Sequence, residues 1–479
     1  MKGAYERLPI FAQNLACSWA GWRRARSRFT PHFFETLAAW ERTLGAPVEE
    51  LHRLQRERLD RVVERARLHV PHYREIPPPS RARDPREAIA QTLAAIPPLE
   101  KSSYRALPES FLARDVPPEQ LQRGRTSGTT GTALPLWYTG SALAEEYAAV
   151  WRLRRACGIG LRDPHLTFGG QIVVPFRQTE PPFWRTNRYG RQTLFSLYHM
   201  TRESLRAYAD AIQRTPARYV QGYPSSLHLV GRAMLEAGRA LPRGRLAGVF
   251  TSSESLLAFQ RATIEEAFGA PVRDRYGTSE FAVSMTACAE NRLHVDMEFC
   301  IVEVEPAEET DEWVRGPLLV TGLAEPATPW LRYRIGDVGT RLKRPCSCGR
   351  GGDVFLDVDG RVEDYVMTPD GRLVGRLDHI FKDQLRVAEA QILQETREAI
   401  EVRLVPRGAW DSASERDLLK EIRSRLGDEI RIELRPVDSI PREPNGKFRA
   451  VKSKLGSTGG PALGTAGGLA LGRDPGGRP

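Results

Sequence analysis

The hydrophobic pattern changes period along the chain. From Leu51 to His69, apolar residues stand at Leu51, Leu54, Leu59, Val62, Val63 and Leu68, close to the 3.6-residue repeat of an amphipathic helix. The repeat stops at Val70-Pro71, and Pro77-Pro78-Pro79 and Ile96-Pro97-Pro98-Leu99 break the chain again, as proline does. Residues 1–110 therefore read as mainly helical. After this, short apolar runs alternate with helical stretches. Leu134–Tyr138, Tyr219–Gly222, Leu246–Phe250 and Val272–Tyr276 read as strands. Ser141–Ala156, Ser204–Arg214, Ser225–Ala237 and Leu257–Phe268 read as helices. The segment 165–200, with Gly169-Gly170 and Pro181-Pro182, reads as strand plus irregular loop. Such alternation predicts helix-flanked, largely parallel sheets.

From 293 to 340 the pattern turns to β: Phe299–Val304, Leu318–Thr321 and Leu331–Arg334. The expected architecture is α/β. A large N-terminal domain has helix-flanked sheets and a β-rich subdomain, and a small mobile C-terminal α/β domain follows. The expected boundaries are 1–110 for the helical part of the large domain, 111–360 for its remainder and 361–455 for the small domain. Residues 456–479, rich in Gly, Ala and Pro, read as a disordered tail. Trp19, Trp22, Phe33, Phe34 and Trp40 suggest that residues 1–50 pack rather than hang free.

Composition narrows the classes. The chain has 479 residues, 41% hydrophobic and 27% charged, which is ordinary for a globular protein. It has no apolar run of membrane-spanning length and no secretory signal at Met1–Arg7, so the expected compartment is the cytoplasm. The net charge is +10, from 70 Lys and Arg against 60 Asp and Glu. Arginines are interleaved with acids, as in Arg56-Glu57-Arg58-Leu59-Asp60-Arg61, and no nucleic-acid-binding signature appears. Nucleic acid and membrane are not expected partners; anionic small molecules or a basic solvated surface are. Six cysteines at 17, 157, 288, 300, 346 and 348 do not suggest a disulfide framework in a cytosolic chain.

The chemistry centres on Arg125-Thr126-Ser127-Gly128-Thr129-Thr130-Gly131-Thr132. Glycines let the backbone approach a ligand closely, and exposed N–H groups and hydroxyls surround an anion. A P-loop would need Lys where Thr132 stands, and a plain solvated turn is the competing reading. Four further stretches follow: Tyr276-Gly277-Thr278-Ser279-Glu280, Tyr333-Arg334-Ile335-Gly336-Asp337, Gly360-Arg361-Val362-Glu363-Asp364 and Pro444-Asn445-Gly446-Lys447. Each alone is a common short motif.

Together, and in this order, the five stretches resemble the core motifs of adenylate-forming enzymes. Val70-Pro71-His72-Tyr73-Arg74, Gly222–Leu227, Leu293-His294-Val295 and Cys346–Arg350 are similar to the phenylacetate–CoA ligase branch and its CapK-like relatives. The resemblance spans about residues 50–455. It implies that a carboxylic acid attacks the α-phosphorus of ATP, that pyrophosphate leaves, and that the acyl group passes to a thiol. Thr126, Ser127, Gly128, Thr129, Thr130 and Gly131 would hold phosphates. Glu280 would bind Mg²⁺, a cation that prefers oxygen ligands. Thr278 or Ser279 would donate to the α-phosphate or acyl oxygen, and Tyr276, after which comes Gly277, would lie on the adenine. Asp337 would accept from the ribose hydroxyls, Arg361 would reach ribose or phosphate, and Lys447 would be the catalytic cation. Glu363 stands where the family's hinge is usually Asp. The family's Lys near Thr132 is missing, which implies weaker pyrophosphate contacts or compensation by an arginine. Ordinary roles compete throughout: Tyr276 as core, Glu280 as an ion pair or cap, Asp337 as a turn residue, Arg361 and Lys447 as surface charges.

Cys288, His294, Cys346 and Cys348 supply three sulfurs and one imidazole, a Cys₃His set for tetrahedral zinc, although the spacings are not those of a zinc finger. The competing reading is free thiols beside an unrelated histidine. The resemblance implies that a metal ties the loop after the Tyr276–Glu280 motif to the Cys346–Cys348 loop, as a structural zinc. The functional expectation is an ATP-dependent acid–CoA ligase acting on an aryl acid, with CoA as acceptor. A CapK-like transfer to a carrier protein, amine or sugar is the alternative, and a non-catalytic scaffold of the same fold the third. The acyl pocket is expected between Gly222–Ser226, 251–254 and 276–281.

Overall fold

Helix starts follow local chemistry. Thr30 caps Pro31–Thr43, Asp84 caps Pro85–Ala94, Thr139 caps Gly140–Ala156 and Asp411 caps Ser412–Leu426, each side chain accepting from a backbone N–H of the first turn. The structure, a computed structural model, describes all residues except 1–4, 126–133, 176, 198, 201–203, 325–326, 362–365, 370–372, 375–386, 407–409, 442–448 and 456–479. Two compact units emerge, one covering Met1–Gly360 and a second beginning at Arg361. The fold is α/β, as the alternating pattern predicts.

In the first unit a two-stranded ribbon joins β1 (Gln122–Arg125) to β2 (Pro135–Tyr138). The main sheet is built from β3 (His165–Phe168), β4 (Trp184–Asn187), β5 (Gln192–Phe195), β6 (Tyr219–Gly222), β7 (Gly248–Ser252), β8 (Val272–Gly277), β9 (Ser284–Ala287), β10 (Leu293–Val295), β11 (Cys300–Val304), β12 (Glu308–Glu309), β13 (Trp313–Gly322), β14 (Tyr333–Leu342) and β15 (Val354–Arg361). Their order is β11-β13-β14-β15-β10-β9-β8-β7-β6-β3-β5-β4, with β12 on β13. The run β5-β3-β6-β7-β8 is parallel. Helices Pro224–Glu236 and Ala258–Phe268 make the crossovers there, as parallel pairing requires. From β8 to β9 the sheet turns antiparallel. The expected largely parallel sheet is thus half of one continuous mixed sheet, and the β-rich region is its other half. The segment 165–200, expected as strand plus irregular loop, supplies three strands.

Two large apolar cores lie on this unit, beside a small cluster of Cys17, Val173, Val174 and Leu194. One joins Phe33, Leu59, Val63, Tyr104, Phe299, Trp330 and Tyr333. The other, over the parallel strands, joins Phe168, Phe195, Tyr208, Val220, Leu227 and Phe268. Each such side chain contributes roughly 1.5–3 kcal/mol on burial. In the N-terminal segment, Phe33 and Trp40 are buried, but Trp19, Trp22 and Phe34 are exposed. The expectation that all five pack is corrected in that respect. Helix Ile10–Arg28 instead closes a sheet edge. The Asn14 side chain accepts from the Thr186 N–H at 2.8 Å and Ser18 from the Arg188 N–H at 3.0 Å, both on or beside edge strand β4. Gly21 permits the approach: a Cβ there would lie 2.3 Å from the Asn187 side chain.

The second unit has β16 (Val366–Met367) paired with β17 (Leu373–Val374). Its four-stranded sheet contains β18 (Val387–Gln394), β19 (Ala399–Pro406), β20 (Arg431–Pro436) and β21 (Val451–Ser453), ordered β20-β19-β18-β21. Helix Ser412–Leu426 links parallel β19 and β20 and buries Leu418 and Ile422 on Ile392, Val402 and Leu404.

Beneath the main sheet lies a buried charge network. Asp296 has no exposed surface. It receives Arg152 at 2.6 Å, Arg350 at 3.1 Å, Ser284 at 2.5 Å and Thr286 at 2.9 Å. Arg152 also reaches Glu298 at 2.7 Å. Burial alone pushes the Asp296 carboxyl up, but Arg152 and Arg350 outweigh it and hold the group below its ordinary value. Removing one partner of such a pair strands the other charge. Asp296→Asn is expected to lower unfolding free energy by about 3–5 kcal/mol in urea titration. With a depressed folded pKa, the wild-type contribution is present above the ordinary value of 3.8 and is lost as pH falls below it. The variant should therefore lose less stability than the wild type on acidification through that range.

Candidate active site and cysteine–histidine cluster

The Tyr276–Glu280 motif occupies the end of β8 and the turn into β9. The Phe281 N–H donates to the Thr278 carbonyl at 3.1 Å. Phe281 takes a left-handed φ of 56°, which folds the chain back. The Tyr138 hydroxyl, from β2, donates to the Ser279 carbonyl at 2.7 Å and so ties the ribbon that borders the Thr126–Thr132 loop to this turn. Gly277 lies close against the Arg275 guanidinium, where a Cβ would be 2.9 Å away.

Two motifs meet here. The Tyr276 hydroxyl donates to Asp337 Oδ2 at 2.5 Å, and the Tyr333 hydroxyl reaches Glu280 Oε1 at 3.5 Å. Glu280 and Asp337 are buried, at 5% and 8% exposure. Among the described residues Tyr333 is the one donor to Glu280. Thr278 Oγ1 is buried and has no hydrogen-bond partner among them. A buried hydroxyl without a partner is costly, so it marks a place where an acceptor fits. The structure thus brings Tyr276, Gly277, Thr278, Ser279, Glu280 and Asp337 together. The other expected residues, Thr126, Ser127, Gly128, Thr129, Thr130, Gly131, Glu363 and Lys447, lie outside the described residues, as does the side chain of Arg361.

The Cys₃His set also converges. The ligand atoms of Cys288, His294, Cys346 and Cys348 all lie within 4.8 Å of one another. Cys288 Sγ is 3.8 Å from Cys346 Sγ, and Cys348 Sγ is 3.4 Å from His294 Nε2. A tetrahedral centre with ~2.3 Å metal–sulfur and ~2.0 Å metal–nitrogen bonds needs edges of about 3.8 and 3.5 Å. His294 Nδ1 faces the Gly351 carbonyl at 3.4 Å, an orientation that leaves Nε2 toward the sulfurs. The donor set therefore fits a metal ion. Cys300, in contrast, is fully buried in the core, as its strand context suggests. Arg350, two residues past Cys348, anchors this loop through Asp296 and Thr286.

A cavity of about 700 Å³ adjoins the turn. Gly222, Tyr223, Thr251, Ser252 and Phe281 line it, residues from the three segments expected to border an acyl pocket. Its remaining wall was not foreseen. Arg24 and Arg28 from helix Ile10–Arg28 and Arg154 from helix Gly140–Ala156 face it too. The signal was the run Arg152-Leu153-Arg154-Arg155 at a helix end, where Arg152 turns to the buried acids and Arg154 lines the cavity.

Residues 366–454 match the family model of the CapK C-terminal domain. Protein CapK of Staphylococcus aureus is 25% identical over 455 residues, covering 93% of this chain and 97% of that protein. The crystal structure of 2-hydroxyisobutyryl-CoA ligase in the postadenylation state with R3-HIB-AMP is 19% identical, with a TM-score of 0.64 over 86% of this chain and 92% of that one. The same ligase with 2-HIB-AMP and CoA in the thioesterification state is 20% identical, with a TM-score of 0.54 over 86% and 91%. The fold is that of the adenylate-forming ligases. Within that fold class, residues 366–454 are similar to the CapK C-terminal domain and the chain as a whole to protein CapK. Among the described residues no helix is long and apolar enough to cross a membrane.

Proposed function

We propose that the protein activates a carboxylic acid with ATP, forming an acyl-adenylate and releasing pyrophosphate. The observation that carries this reading is the unpartnered Thr278 hydroxyl beside buried Glu280, at the junction of the turn with the Tyr276–Asp337 pair. In-line attack on phosphorus concentrates negative charge, and fixed donors stabilise it. On this reading Thr278 and Ser279 donate to the α-phosphate or acyl oxygen, and Glu280 holds Mg²⁺. Tyr276 lies along the adenine while its hydroxyl orients Asp337 toward the ribose. Thr126–Gly131 hold the outer phosphates, Arg361 reaches ribose or phosphate, and Lys447 bridges donor and leaving oxygens. Glu363 serves as the hinge of the small domain. The acid is an aryl acid, in keeping with the aromatic cavity wall of Trp151, Tyr219 and Phe250.

CoA is the first choice of acceptor, in keeping with the likeness to a ligase crystallised with CoA. Transfer to a carrier protein, amine or sugar is the second reading, favoured by the CapK match of the small domain. Cys288, His294, Cys346 and Cys348 hold a structural zinc that closes two loops and takes no part in bond making.

ATP–pyrophosphate exchange without CoA, over a panel of acids, is expected to proceed with at least one acid; exchange with none would overturn adenylation. Lys447→Ala should slow exchange by about 100-fold or more while leaving thioester formation from supplied acyl-adenylate within a few-fold. An equal loss of both half-reactions would contradict separate poses. Metal analysis of purified protein should find about one zinc per chain. Joint Cys346→Ser and Cys348→Ser replacement should remove it and lower the melting midpoint; wild-type protein with far less than one zinc would refute the site.

A further inference from the structure

The cavity beside the turn has an unusual charge balance. Its wall carries six arginines and one acid, Glu146, and Glu146 is already paired with Arg275 at 2.9 Å. Other buried arginines are well supplied with acceptors: Arg152 has Asp296 and Glu298, and Arg185 has the Gln13 and Gln178 side chains and two carbonyls. Among the described residues no carboxylate pairs with Arg24, Arg28 or Arg154. Arg24 donates to the backbone of its own helix. Arg28 lies over the Tyr147 ring at 4.2 Å. Arg154 stacks on Trp151 at 4.9 Å and Tyr219 at 5.3 Å, donates to Gln221, and keeps its buried Nε without a partner.

Three guanidiniums around one cavity repel one another. Burial, Arg24 and Arg154 all act against the charge on Arg28. Such an arrangement is stabilised when an anion enters. On the adenylation reading the reacting carboxylate belongs beside Thr278 and Glu280, which do not line this cavity, whereas Arg24, Arg28 and Arg154 do. The anion that suits these arginines is then a second group.

Resting on the adenylation reading, we infer that the acid substrate is a dianion: an aryl acid whose far end carries a second anionic group, held by Arg154 with Arg28 and Arg24. The rings of Trp151, Tyr219 and Phe250 would bracket the aryl body, and guanidinium forks suit a carboxylate or a phosphate equally. The cavity volume lies within the usual range for small-molecule sites, roughly 300–1,000 Å³. The cavity also explains why the N-terminal helix is part of the unit: it brings two of the three cations.

The test compares acids that differ only at the far end, at two lengths. Phenylacetate is set against 4-carboxyphenylacetate and 4-(phosphonooxy)phenylacetate, and biphenyl-4-carboxylate against biphenyl-4,4′-dicarboxylate. In ATP–pyrophosphate exchange, kcat/KM is expected to be at least about tenfold higher for a charged-tail acid than for its neutral partner. The phosphate and carboxylate arms tell which anion is preferred. Arg154→Gln should abolish that preference and Arg154→Lys should restore part of it, which separates charge recognition from a folding defect. Neutral-tail acids used as well or better at both lengths would overturn the inference and leave adenylation intact. If no acid supports exchange, calorimetric titration of the same acids decides the matter without catalysis. Charged-tail binding that Arg154→Gln weakens about tenfold or more supports the site; no such binding, or equal binding by the variant, overturns it.

Discussion

The first unit hangs on one buried carboxylate. Asp296 is reached by two guanidiniums and two hydroxyls from three distant segments: the Gly140–Ala156 helix, strand β9 and the loop after Cys348. A lone charge in that position would be costly, so these segments have to be in place together. Each then fixes something else. Arg152 is two residues from Arg154, which faces the cavity. Ser284 and Thr286 follow the Tyr276–Glu280 turn. Arg350 holds the loop that carries Cys346 and Cys348. The turn, the cavity wall and the cysteine cluster share this one electrostatic anchor.

The helix Gly140–Ala156 shows how one element serves two opposite demands. Arg152 points into the anchor and is fully compensated there. Arg154 points into the cavity and is stacked on aromatic rings without a carboxylate. Stacking accommodates a guanidinium while leaving its edge free to donate. The difference between a structural and a receptive arginine therefore lies in what faces its edge.

Much of this was legible in the sequence. Most helices and strands β6, β7 and β8 follow from the period of the pattern, and the five motifs mark which loops belong together. The Cys₃His set was readable as a ligand inventory, and its convergence depended on β9, β10 and the 346–350 loop being neighbours. What the sequence hid was long-range pairing. Asp296 reads as an ordinary acid between Val295 and Met297, and its four donors lie 10 to 144 residues away. The continuity of the parallel and antiparallel halves was equally hidden, since no local pattern says that β8 pairs with β9. The Thr126–Gly131 loop and Lys447 rest on the sequence motifs alone.

The N-terminal helix shows why apolar content misled in one place. Its aromatic residues suggest a packing face, yet Trp19 and Trp22 are exposed, and the residues that attach it are polar and small. Asn14 and Ser18, one helical turn apart, satisfy backbone donors along edge strand β4, and Gly21 lets the helix lie against Asn187. An exposed edge would otherwise be a template for pairing. A helix held to a strand by hydrogen bonds needs no broad apolar stripe. Its next turns are free to carry Arg24 and Arg28 over the cavity, so edge protection and anion recognition follow from the same docking geometry.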